Sequence, residues 1–338
     1  MRTVIRVAAI LGIAASQSAY AQSATTPSAV RTLLGALAHD SMGGRATGTP
    51  GAAMAARFIA DAMRKAGIEP AGDSGYYQRV AVTRDSTSTA RRSSFRVLPN
   101  LADLDTVAAP RRVAAVNVVG MIRGSDPALR AEHVLVDAHY DHIGIGAPIN
   151  GDSINNGADD DASGTVAVLE IARQMAAGPR PKRTVIFMAT IGEERGLLGT
   201  RWYIQHPVVP LAEMVANLEI EMIGRPDSLA GGAGRAWLTG YERSSMGDAL
   251  AAAGIPIVAD KRLEQQFFQR SDNIAFARAG IPAHTLSSFN LHTDYHRPSD
   301  DIDKVDFDHM AAVVNAAAKA ARLLADGPKP EWKPGGRP

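Results

Sequence analysis

The sequence predicts an α/β domain with a mostly parallel, mixed central sheet covered by helices on both faces, a three-layer α/β/α arrangement. Two observations carry this. Short, β-rich apolar runs recur at 113–122, 134–138, 184–190 and 215–223. Helical patterns alternate with them, at 165–177 and 197–205. Later segments keep the rhythm, with strands expected at 236–239, 256–259 and 282–286 and helices at 244–253, 273–279 and 307–324.

The N-terminal third is organised differently. Met1 to Arg6 gives a short positive start, Val7 to Ala15 is a compact apolar run, and Ala19-Tyr20-Ala21 places small residues where a signal peptidase reads. A signal peptide over 1–21 and cleavage before Gln22 are expected, giving an exported protein, periplasmic or secreted. The apolar run is too short to anchor a chain in a bilayer. Residues 22–28 read as a flexible leader. Helical patterns follow at 30–37 and 52–66, the second stopped by Gly67. Between them the glycine-rich connector Gly43–Gly51 lacks a Walker lysine and has no strand before it, so it reads as structural or as a rim of the site. Residues 85–110 are polar and weakly periodic, an irregular surface excursion. Residues 327–338 read as a disordered tail, leaving a single domain over 29–326.

Composition narrows the function little. The chain has 338 residues, 46% hydrophobic and 21% charged, which is ordinary for a globular domain. A net charge of +1 gives no sign of a nucleic-acid partner. There is no cysteine, so no disulfide staples the fold and no thiolate can attack or bind metal.

In a parallel sheet, ligands are held just past the carboxyl ends of strands. Polar clusters fall there. The strand at 134–138 runs into His139-Tyr140-Asp141-His142, and that at 184–190 into Gly192-Glu193-Glu194. The strand from 215 ends on Glu221, and the last is followed by His292-Thr293-Asp294-Tyr295-His296 and Asp300. A fifth cluster, Asn156 to Gly164, opens a helix with Asp159-Asp160-Asp161. Helix capping accounts for part of it. Repulsion among so many carboxylates would be costly without cations, and bound divalent metal offsets it. Imidazole and carboxylate without sulfur fit zinc or a similar ion at a catalytic site.

Taken in order, the strings AHYDHIG, NGADDDASG, GEERGLLG, IEMIGR and RSDN through DYHRPSD resemble the aminopeptidase Y and bacterial leucyl aminopeptidase family of di-zinc exopeptidases, within the superfamily of glutamate carboxypeptidase II. The resemblance runs from about Asn117 to Asp306. It implies a phosphorylase/hydrolase-like fold, two zinc ions and peptide substrates. Asp159 would bridge both metals, Glu194 and His296 would complete one site, and His139 with Glu221 the other. Glu193 would be the general base. Asp141 would orient His139, and Asp300 would do so for His296. Asp160 would follow the bridging aspartate, at a position where the family often has a cis peptide. Tyr295 would steady the tetrahedral intermediate. The chemistry fits amide hydrolysis, since a metal-bound water has its pKa lowered to about 7 and Glu193 could relay its proton.

One position departs from the family, because many relatives carry aspartate where this chain has Glu221. Glu219, two residues earlier on the same strand face, competes for the role. Ser271 and Asp272 read as helix caps, while Arg270 could contact a substrate carboxylate or lie on the surface. His142 and His292 read as rim residues that do not bind metal, and Phe267, Phe268 and Phe289 as core, with a side-chain pocket as the alternative. The expected activity is an exported zinc aminopeptidase. A carboxypeptidase or dipeptidase with the same centre, a one-zinc glutaminyl cyclase, and a non-catalytic binding module are the alternatives.

Overall fold

The computed structural model describes residues 24–85 and 94–338. The expected signal peptide and part of the excursion lie outside the described residues. The strands are β1 (Glu69–Pro70), β2 (Tyr77–Arg79), β3 (Val82–Arg84), β4 (Phe95–Val97), β5 (Arg112–Val113), β6 (Val116–Ile122), β7 (His133–His139), β8 (Gly144–Ile149), β9 (Asp152–Asn155), β10 (Thr184–Thr190), β11 (Met214–Ile220), β12 (Ala236–Leu238), β13 (Ile257–Ala259) and β14 (Ala283–Ser287). The main sheet runs β1-β6-β10-β7-β11-β14-β12-β13, with β2 also on β6. Its centre is parallel: β10 and β11 flank β7 in the same direction, and β14 continues it. The antiparallel partners β6 and β12 make the sheet mixed.

Every residue of β7 and β10 is buried, as a strand covered on both faces requires. Alternate residues then serve different cores. Val134, Val136 and Ala138 pack with α1 (Pro27–Leu37), α2 (Pro50–Lys65), α3 (Gly164–Ala177) and α7 (Phe307–Asp326). Leu135, Ile186 and Met188 point the other way, into a cluster with Tyr203 of α4 (Leu198–Gln205) and Phe276 of α6 (Asn273–Arg278). The remaining helix, α5 (Ser245–Ala252), packs beside β13.

Several boundaries moved, each for a local reason. Thr26 and Thr49 cap α1 and α2 through their side chains, and Pro27 and Pro50 open them, so both helices start earlier than the apolar pattern suggested. The expected flexible leader is therefore ordered from Thr25, whose hydroxyl donates to Glu170 at 2.7 Å. The excursion is not wholly irregular, because β4 pairs with β3 and β3 with β5. The tail packs instead of dangling: Trp332 donates through Nε1 to the Gly280 carbonyl at 2.9 Å, and the Lys333 N–H to Arg243.

Candidate metal centre

Each of the four central parallel strands delivers part of the site at its carboxyl end. β7 ends on His139; β10 leads through Gly192 into Glu193 and Glu194; β11 leads into Glu221; the loop after β14 carries Tyr295 and His296. The fifth piece is the turn Ala158–Ser163 at the start of α3. Gly157 enters it at φ 56°, and its peptide between Asp160 and Asp161 is cis.

Two groups of donor atoms form there, one of His142, Asp160, Glu194 and His296, the other of His139, Asp160 and Glu221, with the atoms of each group within 4.8 Å of one another. Asp160 belongs to both. Its Oδ2 lies 3.1 Å from His296 Nε2 and its Oδ1 3.4 Å from His139 Nε2. Glu194 Oε1 is 3.3 Å from His296 Nε2 and 2.9 Å from His142 Nδ1. Donors held about 2.1 Å from a tetrahedral zinc are about 3.4 Å apart, so these spacings suit the ion. His139 Nε2 and His142 Nε2 are buried and have no hydrogen-bond partner among the described residues. Buried polar atoms are ordinarily satisfied, and a cation between them would satisfy these. The residues fit zinc.

The shared carboxylate is thus Asp160, not the expected Asp159. The Asp159 side chain turns elsewhere: Oδ1 accepts the Gly224 N–H at 2.6 Å and Oδ2 lies 2.9 Å from His292 Nε2. The cis bond follows Asp160. His142, expected on the rim, sits among the donors. Asp161 accepts the N–H groups of Met222 and Gly164 at 2.9 and 3.0 Å, holding the segment after Glu221 against the start of α3.

The supporting residues also differ from expectation. His139 Nδ1 is 3.0 Å from the backbone oxygen of Asp141 and 3.9 Å from its carboxylate. The Asp141 carboxylate accepts from the Thr47 hydroxyl and the N–H groups of Gly192 and Glu193, at 2.7, 2.7 and 3.2 Å. It therefore ties the connector to the Glu193 turn. Asp300 has other partners than the expected His296. It accepts the N–H of Asp159 and Asp160, and Arg225 lies against it. The glycine-rich connector is a brace: Arg45, fully buried at φ 49°, donates to the carbonyls of Tyr140, Leu37, Asn156 and Gly157.

Glu219 and Glu221 separate cleanly. Glu219 is fully buried and accepts from the Ser271 and Thr285 hydroxyls and the N–H groups of Asp272 and Asn273, at the start of α6. Glu221 is half-buried and faces the cavity. Burial, with Glu219 nearby, pushes its carboxyl up to about 8. Burial also raises Glu193 well above the carboxylate range, opposed by His139. For His139 burial favours the neutral ring, but the fields of Glu193, Asp161, Asp160 and Asp141 outweigh it and raise its pKa. Such crowding of acid is relieved by a cation.

A small cavity of about 40 Å³ opens over the donors. It is lined by Asp160, Glu193, Glu194, Glu221 and His296, by the apolar cluster of Met222, Trp237, Phe267 and Phe289, and by Thr239, Thr285 and Ser287. Tyr295 stacks on His296 with ring centres 3.8 Å apart. Phe267 and Phe289 are buried in one apolar cluster, as the core reading expected, and also line the cavity; Phe268 belongs to the core behind. Trp237 carried no sequence signal beyond its strand.

Residues 117–321 match Peptidase family M28. The chain belongs to this family. Family M28 membership makes the domain a metallopeptidase domain and implies zinc. A relative named Vacuolar membrane protease, from Tuber melanosporum, is 35% identical over 108 residues, 30% of this chain and 10% of that protein. The chain spans a small part of the length of such curated relatives. Among solved structures, BSAP, a zinc aminopeptidase from Bacillus subtilis, is 18% identical, with TM-score 0.63 over 90% of this chain and 96% of that one. Porphyromonas gingivalis glutaminyl cyclase is 16% identical, with TM-score 0.60 over 88% and 97%. These likenesses establish the M28 domain as a mixed α/β fold with a central sheet and surrounding helices. None of the described helices is long and apolar enough to cross a membrane.

Proposed function

We propose that this M28 domain is an aminopeptidase working with two zinc ions, and that the chain is exported by its N-terminal signal segment. The observation that carries the reading is the pair of donor groups sharing Asp160. His139 and Glu221 would hold one ion, and Glu194 with His296 the other, His142 lying within reach of the second. Zinc bound there would polarise the scissile carbonyl and make water acidic enough to attack at neutral pH.

The chain's own residues do the rest. Glu193 lines the cavity beside the donors, and burial raises its pKa, as suits a group that takes a proton from water and returns it to the leaving amine. Asp141 fixes the Glu193 backbone. Tyr295, stacked on His296 and lining the cavity, would donate its phenol hydrogen to a developing oxyanion. The aromatic wall would take an apolar side chain and exclude water from it. The acidic lining suits the free ammonium of a peptide's first residue.

The one-zinc cyclase alternative uses the same fold, but the second donor group supports hydrolysis at two metals. The test is a zinc-loaded assay on amino-acid p-nitroanilides and their N-acetylated forms. The free-amine substrates should be cleaved, the blocked ones should not, and chelation should abolish cleavage. Glu193→Gln should keep its zinc and lose about 10²–10⁴ in rate. Equal cleavage of blocked substrates would exclude the aminopeptidase reading.

A further inference from the structure

The cavity wall carries a guanidinium that the mechanism does not use. Arg270 follows the aromatic pair Phe267-Phe268, is exposed, and lines the same cavity as Glu193 and Glu221. Its guanidinium carbon lies 5.1 Å from the ring centre of Phe267, itself part of the wall. No carboxylate among the described residues pairs with it, unlike Arg225, held by Asp294, and Arg262, held by Asp227. Of the acidic groups lining the cavity, Asp160, Glu194 and Glu221 are ones that zinc would neutralise, which leaves Glu193. Arg270 is one unneutralised fork-shaped cation at the edge of the site, stacked on an aromatic face.

We propose that Arg270 binds a substrate carboxylate lying close to the scissile bond, which makes short peptides such as dipeptides the preferred substrate class; this rests on the aminopeptidase reading above. A guanidinium fork matches a carboxylate with two parallel hydrogen bonds. Each residue of extended chain spans about 3.3–3.6 Å. The terminal carboxylate of a dipeptide therefore lies one residue beyond the scissile bond, and each further residue carries it that much farther away. Arg270 would hold the carboxylate end of such a small zwitterion at the edge of the site. An acidic side chain next to the scissile bond offers the same chemistry from a second source.

The experiment compares kcat/KM of the zinc-loaded enzyme for Leu-Ala, Leu-Ala amide, Leu-Glu amide and Leu-Gln amide, in wild type, Arg270→Ala and Arg270→Lys. Wild type should favour Leu-Ala over its amide by about tenfold or more, chiefly through KM. Arg270→Ala should bring that ratio near one, and Arg270→Lys should restore only part of it. If the side chain is the source, the preference appears instead for Leu-Glu over Leu-Gln amide, with the same dependence on Arg270. Calorimetric binding of Leu-Ala and its amide to Glu193→Gln protein gives the same ratio without turnover. Equal treatment of all four peptides by wild type, or a preference that survives Arg270→Ala, overturns the proposal. Failure of the wild type to cleave any free-amine substrate would instead strike the aminopeptidase reading, while the binding ratio would still decide the role of Arg270.

Discussion

The Asp300 carboxylate accepts the backbone N–H of Asp160 at 3.0 Å. It also takes the Asp159 N–H, and it faces Arg225. The shared donor of the centre is thus aimed through its own main chain, by a residue on the loop that carries His296. Asp300→Ala should weaken zinc binding about 10- to 100-fold, as loss of such outer supports does. Competition with a chromogenic chelator measures this, and unchanged affinity would remove Asp300 from the role.

Glu221 and Glu219 make opposite predictions. Glu221→Ala should bind about half the zinc of the wild type and keep its melting temperature. Glu219→Ala strips the acceptor from two hydroxyls and two N–H groups at the start of α6. It should lose about 2–4 kcal/mol of stability, because buried donors are left unsatisfied. Metal analysis with urea unfolding separates the two. Full loading of Glu221→Ala with half loading of Glu219→Ala would reverse the assignment.

Arg45 binds the connector to the end of α1, the segment after His139 and the turn before Asp160 through four backbone carbonyls. Arg45→Met keeps much of the volume and none of the donors. We expect a loss of about 3 kcal/mol or more by urea unfolding. A near-neutral effect would mean that the loops hold themselves.

Away from the metal, His284 gives a pH dependence. It is fully buried in β14, between the Thr239 carbonyl and the Ser244 hydroxyl, each at 2.7 Å. Burial lowers its pKa from 6.5 to about 4. The unfolded chain therefore takes up a proton in this window that the folded chain refuses. The stability is fully present above about pH 6.5 and is lost as pH falls through about 4, by at most about 3 kcal/mol. The slope of unfolding free energy between pH 6.5 and 4 should be shallower in His284→Gln. An equal slope would mean that His284 contributes none of it.

How much of this was legible in the sequence depends on the kind of signal. Strands β7, β10 and β11 were placed within a few residues, because continuous apolar runs buried on both faces are hard to misread. Their positions put His139, Glu194 and Glu221 at one end of the sheet. What failed was the choice within the run Asp159-Asp160-Asp161. Three adjacent carboxylates have the same chemistry, and only the backbone turn after Gly157 decides which one points at the donors. His142 was misplaced for a similar reason, since a residue two or three beyond a strand end has no periodicity to aim it. The tail looked disordered because Pro and Gly dominate its composition, yet Trp332 anchors it through one hydrogen bond and ring contacts with Phe268 and His284.

Two ions sharing Asp160 would make it the pivot of the centre. Crystals of the zinc-loaded protein, measured at the zinc absorption edge, test this directly. Two anomalous peaks are expected, both within bonding distance of Asp160, one also beside His139 and Glu221 and the other beside Glu194 and His296. A single peak, or two that are joined by Asp159 or draw on Glu219, would contradict it.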